Sequence, residues 1–172
     1  MSAITVDKFD LLLLEALQKD GQATNSVLGE MVHLSTSQVS RRIQRLQEAH
    51  VIDHYCAVIE PSAIGLDVVA FTEVTLNRHD PLSSERFEKG IVELPQVLEC
   101  YQLAGQADYL LRIVAPDLAS FSSFMNRHVL RITGVANVKS TVTLRKVKHT
   151  HVLPLDHVMA PAENRKKVLF SA

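Results

Sequence analysis

The sequence contains little of what disulfide frameworks, membrane spans or polybasic coats require. Cysteine occurs only twice in 172 residues, as Cys56 and Cys100, without metal-ligand spacing, so we expect reduced thiols of a cytoplasmic protein and no structural disulfide. No charged segment followed by an apolar run opens the chain, and residues 11–14 are far too few to span a bilayer. A net charge of −1 excludes a polybasic coating protein but allows a local basic patch.

The sequence also lacks the usual signatures of catalysis. It contains no serine or cysteine in a nucleophile elbow, no phosphate loop and no carboxylate pair on a recognisable scaffold. His149 and His151 would lie on the same side of a strand, but no cysteine or third ligand accompanies them. We therefore expect neither an enzyme nor a metal site, and no cofactor.

What the sequence does contain, between residues 24 and 53, is a pair of helical patterns joined by a very short turn. The first helix would begin at Thr24 or Asn25, and the turn would be residues 33–35. The second would begin at Ser35, because Ser35 and Gln38 have the spacing of a capping box. A leucine-rich helix at residues 7–19 would complete a core of three helices. The apolar side chains that we expect the first helix of the pair to bury are Val27, Leu28, Met31 and Val32.

The second helix of the pair carries two different faces. Val39, Ile43 and Leu46 fall within one narrow arc, which suits packing on a neighbouring helix. Another face is rich in arginine, and residues 31–47 contain no carboxylate. Arginine can bond guanine in a bidentate manner, glutamine can do the same with adenine, and hydroxyls can bond phosphates. The residues that we predict to contact DNA are Ser35, Thr36, Ser37, Gln38, Ser40, Arg41, Arg42 and Arg45.

A small helical bundle with a solvated arginine face is the alternative, since runs of charge are usually solvated. The short turn, the cap and the acid-free window coincide, which favours DNA binding. Residues 1–60 nevertheless carry five lysines and arginines against eight acidic residues. Binding would then depend on a local patch, duplicated by dimerisation.

The second half of the chain has the periodicity of an α+β domain. Residues 51–59 are rich in β-branched and aromatic side chains, so a small wing or strand is expected at residues 53–55, before a linker that contains Pro61 and Gly65. We then expect a strand at 68–76, a helix at 81–94, strands at 97–103 and 109–114 joined as a hairpin around 104–108, a helix from 117 to 134 and a strand at 135–147.

This β-α-β-β-α-β order predicts a ferredoxin-like fold, in which two helices cover one face of a four-stranded antiparallel sheet. A second copy of the chain is the simplest cover for the other face. We predict a winged helix-turn-helix domain at residues 1–60, a linker at 61–67, a ferredoxin-like domain at 68–153 and a solvated, partly ordered tail at 154–172.

The sequence resembles the Lrp/AsnC family of bacterial and archaeal regulators over almost its whole length, to about Leu155. The motifs that carry the resemblance are, in order, VDKFDLLLLEALQKDG, LSTSQVSRRIQRLQ, VIDHYCAVIEPSAIGL, AGQADYLLRIVAPD and ITGVANVKSTVTLRKVK. The resemblance implies an N-terminal winged helix-turn-helix and a C-terminal domain that dimerises and binds an effector. Such proteins form dimers that often assemble to tetramers or octamers, and many respond to amino acids.

The resemblance also implies an effector loop. By motif, the loop would be Gly105, Gln106, Ala107 and Asp108, with Tyr101 and Leu103 lining it and Thr141 and Val142 completing it. A glycine in the hairpin allows positive φ, which would expose backbone N–H groups to a carboxylate, and the Asp108 carboxylate could pair with an ammonium group. From the spacing alone, Gly105 and Asp108 would be ordinary turn residues.

Two positions depart from the family pattern. The family commonly has glycine in the turn before the recognition helix and again just after that helix, and here these places hold His33 and His50. His50 falls on the apolar stripe of its helix, so we expect it to pack under the wing as a structural histidine.

The sequence therefore predicts a cytoplasmic, homo-oligomeric transcriptional regulator that binds double-stranded DNA with sequence preference. Its effector would be an amino acid or a related metabolite, bound between C-terminal domains. A nucleoid-type protein that wraps DNA with little sequence preference is the alternative, because contacts to phosphate and to DNA shape cannot be separated from one chain. Ferredoxin-like dimers also occur in small oxygenases, but the arginine face of the N-terminal half argues against an enzyme.

Overall fold

The computed structural model describes residues 5–77 and 82–159. These residues form two compact units, one of residues 5–57 together with 148–159, and one within residues 58–147. No helix in the described ranges is long and apolar enough to cross a membrane. The domain boundaries expected from the sequence stay a prediction.

Three helices build the first unit, and they lie where the sequence patterns predict helices. They are α1 (Lys8–Lys19), α2 (Asn25–Val32) and α3 (Thr36–Glu48). Thr24 caps α2 through its hydroxyl, and Ser35 and Gln38 form the expected capping box at the start of α3. Leu13, Leu28 and Val39 are fully buried where the three helices meet, which confirms the helical core.

The buried face of α2 is narrower than the sequence suggested. Leu28 and Val32, four residues apart, are buried, whereas Val27 and Met31 are exposed. A helix of eight residues presents one stripe to its neighbours, and a side chain one position away from that stripe is rotated by about 100°. The prediction that Val27 and Met31 are buried was therefore wrong.

The turn between α2 and α3 presses directly on α2. Gly29 is buried, and a Cβ at this position would lie 2.5 Å from the carbonyl oxygen of Leu34. His33 has a φ of 56° and His50 a φ of 54°, both in the left-handed region. His50 is exposed, so the expectation that it packs under a wing was wrong. The backbone keeps the shape that glycine usually adopts, although histidine occupies both positions.

The expected wing or strand at residues 53–55 is not formed. Residues 53–60 lie in no helix or strand, and a short 3-10 helix, Pro61–Ile64, follows them. A strand needs a hydrogen-bonded neighbour, and the described part of this chain supplies none here. β-Branched side chains alone do not create one.

The second unit has the predicted β-α-β-β-α-β order. Its elements are β1 (Val68–Leu76), α4 (Ser83–Val92), β2 (Val97–Gln102), β3 (Tyr109–Ala115), α5 (Leu118–Arg127), a 3-10 turn (Val129–Arg131) and β4 (Val135–Val142). The sheet order is β2-β3-β1-β4, and every pairing is antiparallel. Phe87 and Ile91 of α4 and Phe121, Phe124 and Met125 of α5 pack on one face. The ferredoxin-like prediction is confirmed.

Several expected bounds of this unit differ from the structure. β4 ends at Val142 rather than at residue 147. The last hydrogen bond along this edge runs from the Thr143 N–H to the Val69 carbonyl oxygen, and β1, which begins at Val68, is too short to pair with residues 144–147. The expected helix at 117–134 divides into α5 and the 3-10 turn. Helix α4 begins at Ser83, and Pro81, where we expected its start, lies outside the described residues.

After β4 the chain runs back to the first unit. We call residues 148–159 the return segment; it ends in a short helix, α6 (Asp156–Met159). The side-chain amide of Gln18, in α1, makes two hydrogen bonds to the backbone of Leu153 in this segment. Gln18 Nε2 donates to the Leu153 carbonyl oxygen at 3.3 Å, and the Leu153 N–H donates to Gln18 Oε1 at 2.6 Å. His149 and His151 lie here outside any strand, with their ring centroids 4.6 Å apart.

Candidate nucleic-acid interface and effector site

Helix α3 presents an exposed polar surface along its first turns. Thr36, Ser37, Ser40 and Arg41 are exposed, and Arg41 makes no ion pair with any residue in 5–77 or 82–159. Ser35 and Gln38 are also exposed, but they are partly committed to each other. Gln38 Oε1 accepts from both the N–H and the hydroxyl of Ser35, at 3.0 Å in each case. The side-chain nitrogen of Gln38 has no hydrogen-bond partner within residues 5–77 and 82–159.

The other two predicted arginines of α3 are bound to α1. Arg42 Nη1 lies 2.7 Å from Asp7 Oδ2 and 2.8 Å from Asp10 Oδ1, and Arg45 Nη2 pairs with Asp10 Oδ2. Asp10 is completely buried. The arginine face that the sequence predicted therefore divides into an outward-facing Arg41 and a pair of arginines that join α3 to α1.

Electrostatics at this junction reflect the pairing. Burial works against ionisation of Asp7, but the Asp10 N–H and the Arg42 guanidinium outweigh it and hold the pKa of the Asp7 carboxyl below its usual range. The carboxylates of Asp7 and Asp10 in turn raise the pKa of the Arg42 guanidinium. Arg42 also lies over the Phe9 ring, with Cζ 5.5 Å from the ring centroid.

Asp7 and Asp10 were not predicted as partners of α3. The sequence does contain a signal for this pairing. Asp7 and Asp10 have the three-residue spacing of a capping box. Asp10 also precedes the buried Leu13 by three residues, which places both on the same side of α1. A carboxylate on the core side of a helix needs a cationic partner. The arginines of α3 supply it.

The predicted effector loop joins β2 to β3, and the structure ties it to β1 through Asp108. Asp108 Oδ2 accepts the Leu76 N–H at 2.7 Å, and the Asp108 N–H donates to the Val74 oxygen at 2.9 Å. Leu76 follows the register shift in the pairing of β1 with β4 and lies beyond Val74, the last residue of β1 that pairs with β3. One carboxylate oxygen of Asp108 thus satisfies a backbone group that the irregular strand leaves unpaired.

The other loop residues are mostly open to solvent. Gly105 and Gln106 are exposed, whereas Ala107 is buried. The Leu103 N–H donates to the backbone carbonyl oxygen of Asp108 at 2.8 Å. Gly105 does not have the positive φ that we expected, and a Cβ there would meet nothing within 4 Å. The expectation that Gly105 adopts a left-handed backbone was therefore wrong.

Tyr101, Thr141 and Val142 do not gather around this loop within one chain. Strands β2 and β4 lie at opposite edges of the sheet, with β3 and β1 between them, so they are roughly 14 Å apart. Thr141 pairs with Phe71 on the face opposite the helices, while Val142 pairs with Ala70 on the helix-facing side. The predicted set therefore cannot form one pocket in a single chain.

The face of the sheet opposite the helices, which we call the open face, carries apolar and charged side chains together. Phe71 and Tyr101 are exposed on it, and the Tyr101 hydroxyl donates to Glu99 at 3.0 Å, which raises the pKa of the phenol. Arg112 pairs with Glu99 at 2.7 Å, yet its Nε is buried without a hydrogen-bond partner in residues 5–77 and 82–159. Among those residues no group of three potential metal ligands lies close enough to hold a metal ion.

Comparison with known proteins agrees with both halves of this architecture. The model of the AsnC-type helix-turn-helix domain matches residues 6–47, and that of the Lrp/AsnC ligand binding domain matches residues 69–153. The chain belongs to the Lrp/AsnC family. It is a DNA-binding transcriptional regulator and not an enzyme.

Individual members of the Lrp/AsnC family match nearly the whole chain. It is 37% identical to the Bkd operon transcriptional regulator of Pseudomonas aeruginosa over 150 residues, which cover 87% of this chain and 98% of that protein. Its structure is similar to that of a transcriptional regulator of Neisseria meningitidis in complex with L-methionine, with a TM-score of 0.86 and 36% identity over 90% of this chain and 99% of that one.

A second structure with the same amino acid is also similar. The feast or famine regulatory protein of M. tuberculosis, complexed with L-methionine, matches with a TM-score of 0.77 and 29% identity, covering 87% of this chain and 99% of that one. Both solved relatives therefore hold an amino acid.

Proposed function

We propose that this Lrp/AsnC regulator reads a roughly palindromic operator with the α3 helices of a homodimer in the cytoplasm. The observation that carries the proposal is the start of α3, where the capped N-terminus, three exposed hydroxyl residues and the exposed Arg41 lie together. Backbone N–H groups at a helix start favour a phosphate, and Arg41 suits either a guanine edge or a phosphate. Two heads in one dimer would place two helices in successive major grooves.

Fluorescence anisotropy with an operator fragment and a random fragment tests this interface. Arg41→Ala should weaken operator binding by about 1–3 kcal/mol if Arg41 reaches a base. Arg131→Ala, which removes the same charge from an exposed position in the second unit, is the matched control and should bind as the parent does. Equal affinity of the parent for both fragments would instead indicate an architectural DNA-binding protein.

The open face supports dimerisation. Phe71 and Tyr101 lie exposed on it. A second copy would cover both rings and remove their apolar surface from water. Light scattering after size exclusion should give a dimer or a larger assembly for the parent and a smaller species for Phe71→Glu. Val92→Glu, at a more exposed position on α4, is the control.

We further propose that the effector is an amino acid bound between the second units of neighbouring chains. Two similar regulators hold L-methionine, and the predicted effector residues of this chain come from opposite edges of its sheet, so two copies would have to combine them. A thermal-shift screen of the amino acids, beginning with L-methionine, tests the proposal, because a ligand selective for the native state raises Tm. A flat screen, with DNA binding also insensitive to every amino acid, would refute it.

A further inference from the structure

The cluster at the junction of α1 and α3 is built around one buried carboxylate. Asp10 has no exposed surface. Its Oδ1 accepts from Arg42 at 2.8 Å, and its Oδ2 accepts from Arg45 and from the Asp7 N–H, the latter at 2.9 Å. Asp10 thus holds the cap of α1 and two side chains of the recognition helix at the same time.

The two arginines are held in different ways. The Arg42 side chain is 21% exposed, bonds both Asp7 and Asp10, and covers the Phe9 ring. The Arg45 side chain is 44% exposed, and within residues 5–77 and 82–159 its guanidinium is bonded only through Nη2, to Asp10. Arg42 is therefore enclosed in the junction, whereas Arg45 is anchored at one nitrogen and has others left to donate outward.

We propose that Asp10 is a positioning residue for DNA recognition: it fixes the guanidinium of Arg45 so that its remaining N–H groups face the DNA, while Arg42 fastens α3 to α1. This inference rests on the proposed function of α3. A free arginine side chain loses much rotamer freedom on binding, and a guanidinium already held by a carboxylate loses less. A guanidinium held in one orientation also bonds one base edge more selectively, because a mobile arginine can reach any nearby phosphate instead.

Asp10→Asn tests the role of the carboxylate. The amide keeps one acceptor oxygen but loses the charge and the second acceptor. With both proteins shown to be folded by circular dichroism at the assay temperature, we expect operator affinity to fall about tenfold and affinity for random DNA to change by less than about twofold. Asp7→Asn is the matched control, because Asp7 bonds Arg42 but not Arg45; it should change neither affinity by more than about twofold.

Three outcomes would overturn the proposal. Unchanged operator binding by folded Asp10→Asn would show that Arg45 needs no anchor. An equal loss on operator and random DNA would assign Asp10 a purely structural role. Tighter binding to random DNA with a steeper dependence on salt would mean that Asp10 withholds the arginines from phosphates.

A second measurement uses the unaltered protein, in case Asp10→Asn does not fold. In NMR spectra of the arginine side chains, a guanidinium that is held in place gives separate Nη signals, and one that rotates freely gives averaged signals. We expect separate signals for Arg42 and Arg45, both without DNA and with operator. We expect averaged signals for Arg41 in the absence of DNA. Averaged Arg45 signals in both states would refute the anchor.

The proposed interface and the anchor fail in distinguishable ways. If Arg41→Ala and Arg45→Ala both bind the operator as the parent does, then the α3 interface is wrong. If Arg45→Ala weakens operator binding but Asp10→Asn does not, only the positioning role of Asp10 is wrong.

Discussion

At the scale of single residues, the arginines of α3 show what spacing can predict and what it cannot. Arg41, Arg42 and Arg45 share one face by helical geometry, and that part follows from the sequence. Which of them is available to a ligand depends on α1, whose Asp10 is thirty-two residues from Arg42 along the chain. A single-helix pattern contains no information about such a partner.

Arg42 should therefore matter for stability where Arg41 does not. Arg42→Ala leaves the fully buried Asp10 with one of its two arginines, so we expect the free energy of unfolding to fall by about 2–3 kcal/mol. Arg41→Ala, at an exposed and unpaired position, should change it by less than about 0.5 kcal/mol. Urea denaturation of the two variants measures both values. Similar losses would contradict the pairing described for Arg42.

His33 and His50 offer a second test at this scale. Both adopt left-handed backbone, which costs a side chain with a Cβ roughly 1–2 kcal/mol. Replacing either by glycine should raise the free energy of unfolding by about 0.5–1 kcal/mol, after the entropy lost by glycine is counted. Ala49→Gly is the control, because Ala49 has a φ of −90° and should lose stability instead. The same sign at all three positions would refute the argument.

At the scale of elements, local signals predicted helix starts better than strand ends. Ser35 was predicted to cap α3, and Thr24 was one of the two residues predicted to begin α2, because a cap is made by residues three positions apart. Helix α4 has no side-chain cap and begins at Ser83 rather than at residue 81. The end of β4 and the absence of the strand expected at residues 53–55 depend on whether a neighbouring strand is present. Gly29 is similar: its lack of a side chain matters only because the Leu34 carbonyl passes over it.

Asp108 is the residue through which the hairpin can be tested. Its carboxylate accepts the Leu76 N–H, and the proposed effector site also uses its charge. Asp108→Asn keeps an acceptor and should retain stability within about 0.5 kcal/mol, whereas Asp108→Ala leaves that N–H without a partner and should lose about 1–3 kcal/mol.

The same pair of variants separates structure from effector binding. If the charge of Asp108 meets the ammonium group of an amino acid, Asp108→Asn should abolish the thermal shift given by the effector while keeping the Tm of the free protein. Calorimetric titration and melting curves on both variants provide the two readouts. An unchanged effector response in Asp108→Asn would leave Asp108 with a structural role only.

At the scale of the whole molecule, the predicted order of domains omits the return segment. The family model for the second domain extends to residue 153, yet residues 148–159 belong to the first compact unit. The sequence of the return segment has no periodic pattern that would predict its packing on the first unit. Its place is set by the side-chain amide of Gln18 and the backbone of Leu153.

Gln18→Ala should loosen this attachment without unfolding α1. Both lost hydrogen bonds are exposed, so we expect a small loss, about 0.5–1.5 kcal/mol, seen as several-fold faster hydrogen exchange at the Leu153 amide. Gln22→Ala, at an exposed position in the same unit, is the control and should leave exchange at Leu153 unchanged. Equal protection in both variants would show that the amide pair does not hold the segment.

The return segment also changes what a protease could achieve. The polypeptide passes from one unit to the other near residue 57 and comes back near residue 148. A single nick in the unpaired stretch at residues 53–60 would therefore leave an N-terminal fragment that still packs on residues of the C-terminal one. The two pieces would run as separate bands under denaturing conditions and travel as one particle under native conditions, and a second nick near residue 147 would cut the remaining covalent connection between the units.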